Sequence, residues 1–342
     1  MEATLGRTGL TVNKDGFGAL PVQRVGMQDA VALLRAAFDG GINFFDTARA
    51  YSDSEEKLGN ALSAQRTHFT LATKTGATTP EAFRKDLATS LSLLQTDHVD
   101  IYQFHNPMFC PLPGDGSGLY EEMGRAKEEG KIRFIGITNH RLNVAQQAIE
   151  SGAYDTLQFP FSYLSGPQEQ ALVRLCEEKN MGFIAMKALS GGLITDISAA
   201  RAWMNQFAGV VPIWGIQKPE ELAQLFAAQK AGATLTPAAQ QRIEQDRAEL
   251  AGDFCRGCGY CMPCPAGIDI SWCARMSLLL RRAPAAGYFS PLWQEKMEQI
   301  NGCIQCGQCK KQCPYQLDTP ALLRKNYQDY RQLLAAHQGA AQ

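Results

Sequence analysis

Up to about residue 230 the chain alternates short apolar runs with stretches whose apolar residues recur at spacings of three and four. The runs Gly16–Leu20, Ile42–Phe45, Phe69–Lys74, Val99–Phe104, Ile132–Ile137, Thr156–Phe159, Phe183–Met186 and Val211–Gly215 predict strands. The intervening stretches Gln28–Phe38, Ser54–Leu62, Pro80–Leu94, Leu119–Glu129, Asn143–Glu150, Pro167–Glu178, Ala199–Phe207 and Pro219–Ala228 predict helices. The strand runs are mostly apolar rather than alternating, as strands covered on both faces are. Eight consecutive strand-then-helix units predict an α/β chain with a (β/α)8 TIM barrel, a fold of typically about 250 residues. An open doubly wound sheet is the rival. It usually carries G-x-G-x-x-G after its first strand, and none follows Gly16–Leu20. Thr4–Val12, with Arg7-Thr8-Gly9 between two short arms, predicts a hairpin closing one end of the barrel.

From Thr236 the character changes. A polar helical stretch, Pro237–Leu250, leads into a Cys-rich segment, and helical Pro320–Leu334 follows it. The expected division is a barrel over 1–250 and a second, mainly helical, ferredoxin-like domain over 251–342. With 45% hydrophobic residues and 33 Lys+Arg against 34 Asp+Glu, the composition is that of a soluble globular protein. A net charge of −1 offers no electrostatic footprint for nucleic acid or an anionic membrane. No apolar run reaches the roughly 18 residues of a membrane helix. The N-terminal segment lacks the basic start and apolar core of a signal peptide.

Eleven Cys is high for an intracellular enzyme, and nine of them lie between Cys255 and Cys313. Disulfides would not cluster so tightly, so metal is the better expectation. One run is Cys255, Cys258, Cys261, Cys264-Pro265. The other is Cys303, Cys306, Cys309, Cys313-Pro314. The second fits C-x₂-C-x₂-C-x₃-C-P, the bacterial ferredoxin pattern for a [4Fe–4S] cluster, in which the last Cys serves the other cluster. The first run is one residue shorter before its last Cys, which leaves the cross-over open. Zinc bound by paired C-x₂-C knuckles is the alternative, and it has no need of a third Cys at the same spacing. Cys110, Cys176 and Cys273 fall outside the pattern and read as buried thiols.

Barrel chemistry sits at the C-terminal ends of the strands. Those ends carry Asp46, with Tyr51 five residues on, then Lys74, His105, Thr138-Asn139, Gln158 and Met186-Lys187. A carboxylate, a lysine, a tyrosine and a histidine at one mouth form an acid–base set. An ammonium stabilises a phenolate, and a carboxylate holds the ammonium. Here the chain resembles the aldo-keto reductase superfamily. The likeness runs through Gly40-Gly-Ile-Asn-Phe-Phe-Asp-Thr-Ala-Arg-Ala-Tyr51, Ala72-Thr-Lys74, Tyr102-Gln-Phe-His105 and Gly130-Lys-Ile-Arg-Phe-Ile-Gly-Ile-Thr138-Asn139, in register over about residues 3 to 230. With the Cys-rich tail, the whole looks like the iron–sulfur-containing bacterial branch.

The resemblance implies that Tyr51 is the general acid, Lys74 lowers its pKa, Asp46 pairs with Lys74 and His105 orients the carbonyl. It implies that Asn139 and Gln158, with Thr138 beside them, bind the nicotinamide carboxamide. Where the family stacks an aromatic on the nicotinamide, this chain has Met186, and Lys187 reads equally as a phosphate ligand or a solvated strand-end lysine. The Lys, Ser and Arg with which NADPH-specific members hold the 2′-phosphate become Gly215, Ile216 and Glu221, with only Lys218 to compensate. NADH is therefore slightly favoured over NADPH.

The expected activity is reduction of a small carbonyl, or oxidation of an alcohol, in the cytoplasm. The two [4Fe–4S] clusters then serve as an electron conduit to a ferredoxin or flavoprotein, or as a structural staple. The alternatives are an electron-transfer protein, and a reductase fed by ferredoxin instead of NAD(P)H. Substrate loops set specificity in barrels. The one from Asn106 to Gly118 offers Met108 and Phe109 as an apolar wall.

Overall fold

A hairpin opens the chain in the computed structural model, which describes residues 1–232, 234–250, 254–282 and 285–340. Its arms are β1 (Glu2–Thr4) and β2 (Thr11–Asn13), paired antiparallel with Ala3 opposite Val12. Eight parallel strands follow: β3 (Gly16–Gly18), β4 (Phe44–Asp46), β5 (Thr70–Thr75), β6 (Val99–His105), β7 (Ile132–Thr138), β8 (Thr156–Pro160), β9 (Gly182–Met186) and β10 (Val210–Gly215). They form a closed barrel in chain order, with β10 returning to pair with β3. The alternating helices are α1 (Met27–Asp39), α2 (Ser54–Leu62), α3 (Pro80–Leu94), α4 (Leu119–Glu128), α5 (Leu142–Ser151), α6 (Pro167–Glu178), α7 (Ile197–Met204) and α8 (Pro219–Lys230). The expected (β/α)8 barrel is thus what forms.

Local chemistry explains the boundaries. The Thr79 hydroxyl accepts the Ala82 N–H at 3.3 Å and Pro80 opens α3, while Gln95 takes a left-handed conformation, φ 53°, and ends it. α7 stops at Met204 rather than running on to Phe207, because Gln206 and Phe207 turn back onto the Trp203 and Met204 carbonyls. β4 begins at Phe44 rather than Ile42 and reaches Asp46, so the carboxylate is held by a strand.

Inward side chains fill the barrel. Ala3, Leu5 and Val12 of the hairpin join Phe44, Ala72, Ile101 and Ile184 in one buried cluster, which shuts the barrel at the N-terminal ends of its strands. Gly136 on β7 leaves room inside. A Cβ there would fall 2.5 Å from Thr156 Oγ1 and 2.8 Å from Gln103 Cγ. The seam between first and last units is polar. Asp15, 2% exposed at the start of β3, accepts from Arg201 Nε (2.8 Å), Trp214 Nε1 (2.9 Å) and Gln229 Nε2 (3.0 Å). Arg201 also donates to the Ala228 and Gly232 carbonyls, so one carboxylate ties α7, β10 and α8 to β3.

Close contacts divide the chain into two compact units, residues 1–188 with 197–240 and residues 189–196 with 241–342. The expected boundary at 250/251 adjoins 251–253, outside the described residues. α9 (Pro237–Glu249) begins in the first unit and runs into the second, where it is followed by α10 (Ile270–Cys273), α11 (Met276–Arg282), α12 (Pro291–Glu298), α13 (Gln308–Gln312) and α14 (Thr319–Ala340). Its core joins Ile268, Ile270, Met276, Met297, Ile300 and Leu323, with Cys273 buried among them. Asn326, 4% exposed on α14, donates to the Ala274 carbonyl at 3.1 Å and accepts the Ser277 N–H at 2.8 Å. No described helix is long and apolar enough to cross a membrane.

Asp15→Ala would strand the buried Arg201 guanidinium. Breaking such a pair costs about 3–5 kcal/mol. The expected outcome is loss of most of the barrel's stability in denaturant unfolding, whereas an exposed control such as Asp29→Ala changes it little.

Candidate active site and cysteine centre

At the C-terminal mouth of the barrel, five strands meet through one carboxylate. Lys74 Nζ on β5 donates to Asp46 Oδ2 at 2.6 Å and to the Thr47 carbonyl at 2.6 Å. Gln103 Nε2 on β6 donates to Asp46 Oδ1 at 3.2 Å, and Gln158 Nε2 on β8 donates to Oδ2 at 3.3 Å. The Thr138 hydroxyl on β7 lies 2.9 Å from Gln103 Oε1 and 3.2 Å from Gln158 Oε1. Lys74 is 0% and Asp46 2% exposed. Burial pulls the Lys74 pKa down and pushes that of Asp46 up, and their contact opposes both shifts. In either charge distribution the pair keeps one proton between two buried groups.

Tyr51 comes from the turn that joins β4 to α2. Its N–H donates to the Ala48 carbonyl at 3.0 Å, and its own carbonyl accepts from Ser54 at 2.8 Å. This brings its ring under Lys74 Nζ, 5.3 Å from the centroid, and edge-on to His105 with centroids 5.6 Å apart. The four residues expected to act together are gathered. Burial and the Lys74 charge lower the His105 pKa to about 3, so its ring is neutral near pH 7.

The remaining expected ligands fall into three groups. Thr138, Asn139 and Gln158 are buried beside the Asp46 network. Asn139 Oδ1 accepts from His140 N (2.9 Å) and Arg141 N (2.8 Å), and its Nδ2 donates to the Pro107 carbonyl (2.9 Å). Among the described residues, one amide hydrogen on Asn139 and one on Gln158 are left over, which fits a carboxamide oxygen. Met186, 8% exposed, packs in the apolar interior with Ile184 and Val211, while Lys187 leaves the strand at φ 56°. Gly215, the last residue of β10, and Lys218 just beyond it are exposed. There the Glu221 carboxylate accepts from the N–H groups of Gln217 (2.8 Å) and Lys218 (3.1 Å), capping α8 with a negative charge.

Three contributors were not singled out from sequence. Gln103 had a signal, a polar residue at an inward position of a barrel strand between Ile101 and His105. Glu55, 0% exposed, accepts from the Thr73 hydroxyl at 2.7 Å and pairs with Arg49. Nothing in its helix pattern marks it. His140, 3% exposed, is held neutral by burial, with the charges of Lys187 and Arg141 adding to the effect. Its closeness to Lys187 is tertiary.

In the second unit one cavity is lined by five cysteines, Cys261, Cys264, Cys303, Cys306 and Cys309. Cys261 and Cys264 are the last two Cys of the first run and the other three come from the second, so the cavity mixes the runs. Cys261 has Cys255 and Cys258 for neighbours, and Tyr315 lies beside Cys258 and Cys313. Among the described residues no three His, Cys, Asp or Glu side chains are gathered as a ready-made site for a single metal ion. Burial, with Cys255 and Cys258 adding to it, pushes the Cys261 thiol up to about 12. Such crowded thiols are hard to ionise unless a cation is among them. Cysteine sulfurs gathered around one mostly apolar cavity fit an iron–sulfur cluster. Cys110, Cys176 and Cys273 are buried and do not line that cavity, as expected of packing thiols.

This chain belongs to the aldo/keto reductase family, whose model matches residues 15–236, more than half of its length. Residues 254–318 match the 4Fe-4S dicluster domain, an iron–sulfur module. L-galactose dehydrogenase of Arabidopsis thaliana is 36% identical over 211 residues, 56% of this chain and 66% of that protein. The NADH-specific methylglyoxal reductase of Escherichia coli K12 is 28% identical over 225 residues, 56% of this chain and 68% of its own length. The chain therefore spans just under two thirds of the length of the first relative. Among solved structures, an aldo-keto reductase from Pseudomonas aeruginosa superposes with TM-score 0.60 at 28% identity, over 68% of this chain and 96% of its own. One from Bacillus halodurans shares the fold, with TM-score 0.64 at 21% identity over 72% of this chain and 95% of its own.

The His105 shift has a consequence for stability. Unfolded, its imidazole takes a proton near pH 6.5; folded, it refuses one until about pH 3. Stability from this group is present above pH 6.5 and is lost as pH falls toward 3, by about 1–2 kcal/mol at pH 5. In unfolding curves at pH 7.5 and pH 5, His105→Gln loses correspondingly less stability than the parent protein.

Proposed function

We propose that this chain is a nicotinamide-dependent reductase of a small carbonyl compound, or an alcohol dehydrogenase in reverse, with Tyr51 as general acid or base. The observation that carries the reading is the convergence of Tyr51, Lys74, Asp46 and His105, with Lys74 over the phenol ring and Asp46 holding Lys74. Bound nicotinamide supplies the hydride. The chain's own residues manage proton and charge. Tyr51 gives its phenolic proton to the carbonyl oxygen. An unperturbed phenol, pKa about 10, is a weak acid at neutral pH. The neighbouring Lys74 ammonium favours the phenolate that remains. Neutral His105 offers an N–H to the same oxygen and steadies its developing charge.

Asn139 and Gln158, steadied by Thr138, hold the carboxamide through their spare amide hydrogens. Met186 backs the ring, and Lys187, Gly215 and Lys218 lie along the rest of the cofactor. NADH is the preferred form. Glu221 already caps the α8 amides with a carboxylate, where a 2′-phosphate would need a cation. The NADH-specific relative from Escherichia coli supports this choice. Residues 1–250 carry this chemistry in the cytoplasm. Residues 251–342 hold two [4Fe–4S] clusters, one on Cys255, Cys258, Cys261 and Cys313, the other on Cys264, Cys303, Cys306 and Cys309. This cross-over is supported by the cavity Cys264 shares with the second run. When bound, the clusters would supply one-electron chemistry toward a ferredoxin or flavoprotein partner. A second reading, a reductase fed through the clusters alone, is favoured by the dicluster domain itself.

Anaerobic fluorescence titration separates the two. The expected result is NADH binding about tenfold tighter than NADPH, with Glu221→Arg narrowing the gap; binding of neither leaves the cluster-fed reading. With methylglyoxal as probe, Tyr51→Phe should lower turnover about 10²–10⁴-fold, the usual worth of a general acid. NADH affinity should stay the same, and unchanged turnover would remove Tyr51 from the chemistry.

A further inference from the structure

The two cysteine runs sit in different electrostatic surroundings. Arg275, 7% exposed, lies against Gly257 in the middle of the Cys255–Cys258 knuckle. A Cβ at Gly257 would fall 2.9 Å from the Arg275 Cζ, and the backbone there has φ +60°, so glycine is what admits the guanidinium. The group is fixed in place, with Nη1 donating to the Gly191 carbonyl at 2.8 Å and Cζ 4.9 Å from the Trp272 ring centroid. Arg256, inside the knuckle itself, is sandwiched between Phe254 and Tyr315 at 4.5 and 4.4 Å. The cavity of the second run has no charged side chain in its lining, and its Cys306 is exposed.

Resting on the two-cluster reading above, we propose that Arg275 and Arg256 raise the reduction potential of the cluster on Cys255, Cys258 and Cys261 above that of the cluster on Cys303, Cys306 and Cys309. The first electron delivered by a low-potential one-electron donor therefore comes to rest on the first cluster. The step adds one electron to one cluster and oxidises the donor by one, with no bond made or broken and no proton moved. Reduction makes the cluster more negative, and a fixed cation beside it lowers the energy of that form. Arg275 is buried, so salt screens its charge weakly. Water around Cys306 also favours a reduced cluster, but mobile solvent reorients around either state, whereas the guanidinium charge is always present. Arg275 and Arg256 are tuning residues that touch no reacting atom.

The test uses the full chain, loaded anaerobically, with iron and sulfide counted and dithionite reduction followed by electron paramagnetic resonance at set potentials. Two separate one-electron steps are expected. Arg275→Gln should move only the higher step down, by about tenfold in its equilibrium, or ~59 mV for one electron. Arg275→Lys should restore most of that shift, and Arg256→Gln should move the same step down by less. Cys306→Ser should alter or abolish the lower step, which identifies that step with the second cluster. The proposal is overturned if Arg275→Gln loads fully and leaves the higher step in place, or moves the lower one. If Arg275→Gln fails to load, Arg256→Gln decides in the same way. A parent protein that never holds about eight irons would instead overturn the two-cluster reading.

Discussion

A carboxylate with no access to water is tolerable only where donors surround it. Asp46 meets that condition with three side-chain donors brought by three other strands, Lys74, Gln103 and Gln158. Each donor is held in turn. Lys74 is fixed by the Thr47 carbonyl, and the two glutamines share the Thr138 hydroxyl. The network therefore demands that β4 to β8 close at one height, and the barrel's register supplies this, with Gly18 beside Asp46 and Thr138 beside Gln158. Charge burial and barrel closure are one constraint seen from two sides.

The same constraint shapes what the site does. Because Lys74 is fully buried and bound to Asp46, its charge stays close to the Tyr51 ring and is not free to swing into solvent. That charge, together with burial, also keeps His105 neutral. One ion pair thus sets the electrostatic character of both side chains facing the mouth. At the far end, the Asp15–Arg201 pair does the structural equivalent, holding the last strand to the first.

The second unit is built differently. Its core is small, and its loops carry thiols whose close approach is unfavourable without a cation. Small domains of this kind rely on metal or disulfides for what their core cannot supply. The guanidiniums of Arg275 and Arg256 stand at the Cys255–Cys258 knuckle, whereas the cavity lined by Cys303, Cys306 and Cys309 has no charged side chain in its lining.

Much of this was legible in the chain itself. Apolar runs alternating with period-3.6 stretches determined eight strand–helix units, because burial on both faces and on one face leave different periods. Three helices, Ser54–Leu62, Pro80–Leu94 and Pro167–Glu178, have the bounds their Pro, Thr and polar ends predict. Strand ends marked Asp46, Lys74 and His105, and Cys spacing marked the cluster segment. The spacing left the cross-over open, since the first run departs from the ferredoxin pattern by one residue, and only the fold brings Cys264 to the cavity of Cys303, Cys306 and Cys309. Nor were Glu55, His140 or the approach of Arg275 to Gly257 legible, where the partners are far apart in sequence. Sequence determined which residues each element presents, because propensity and periodicity are local. Tertiary structure decided which charges stand together, because burial and Coulomb energy depend on distances that only the closed fold sets.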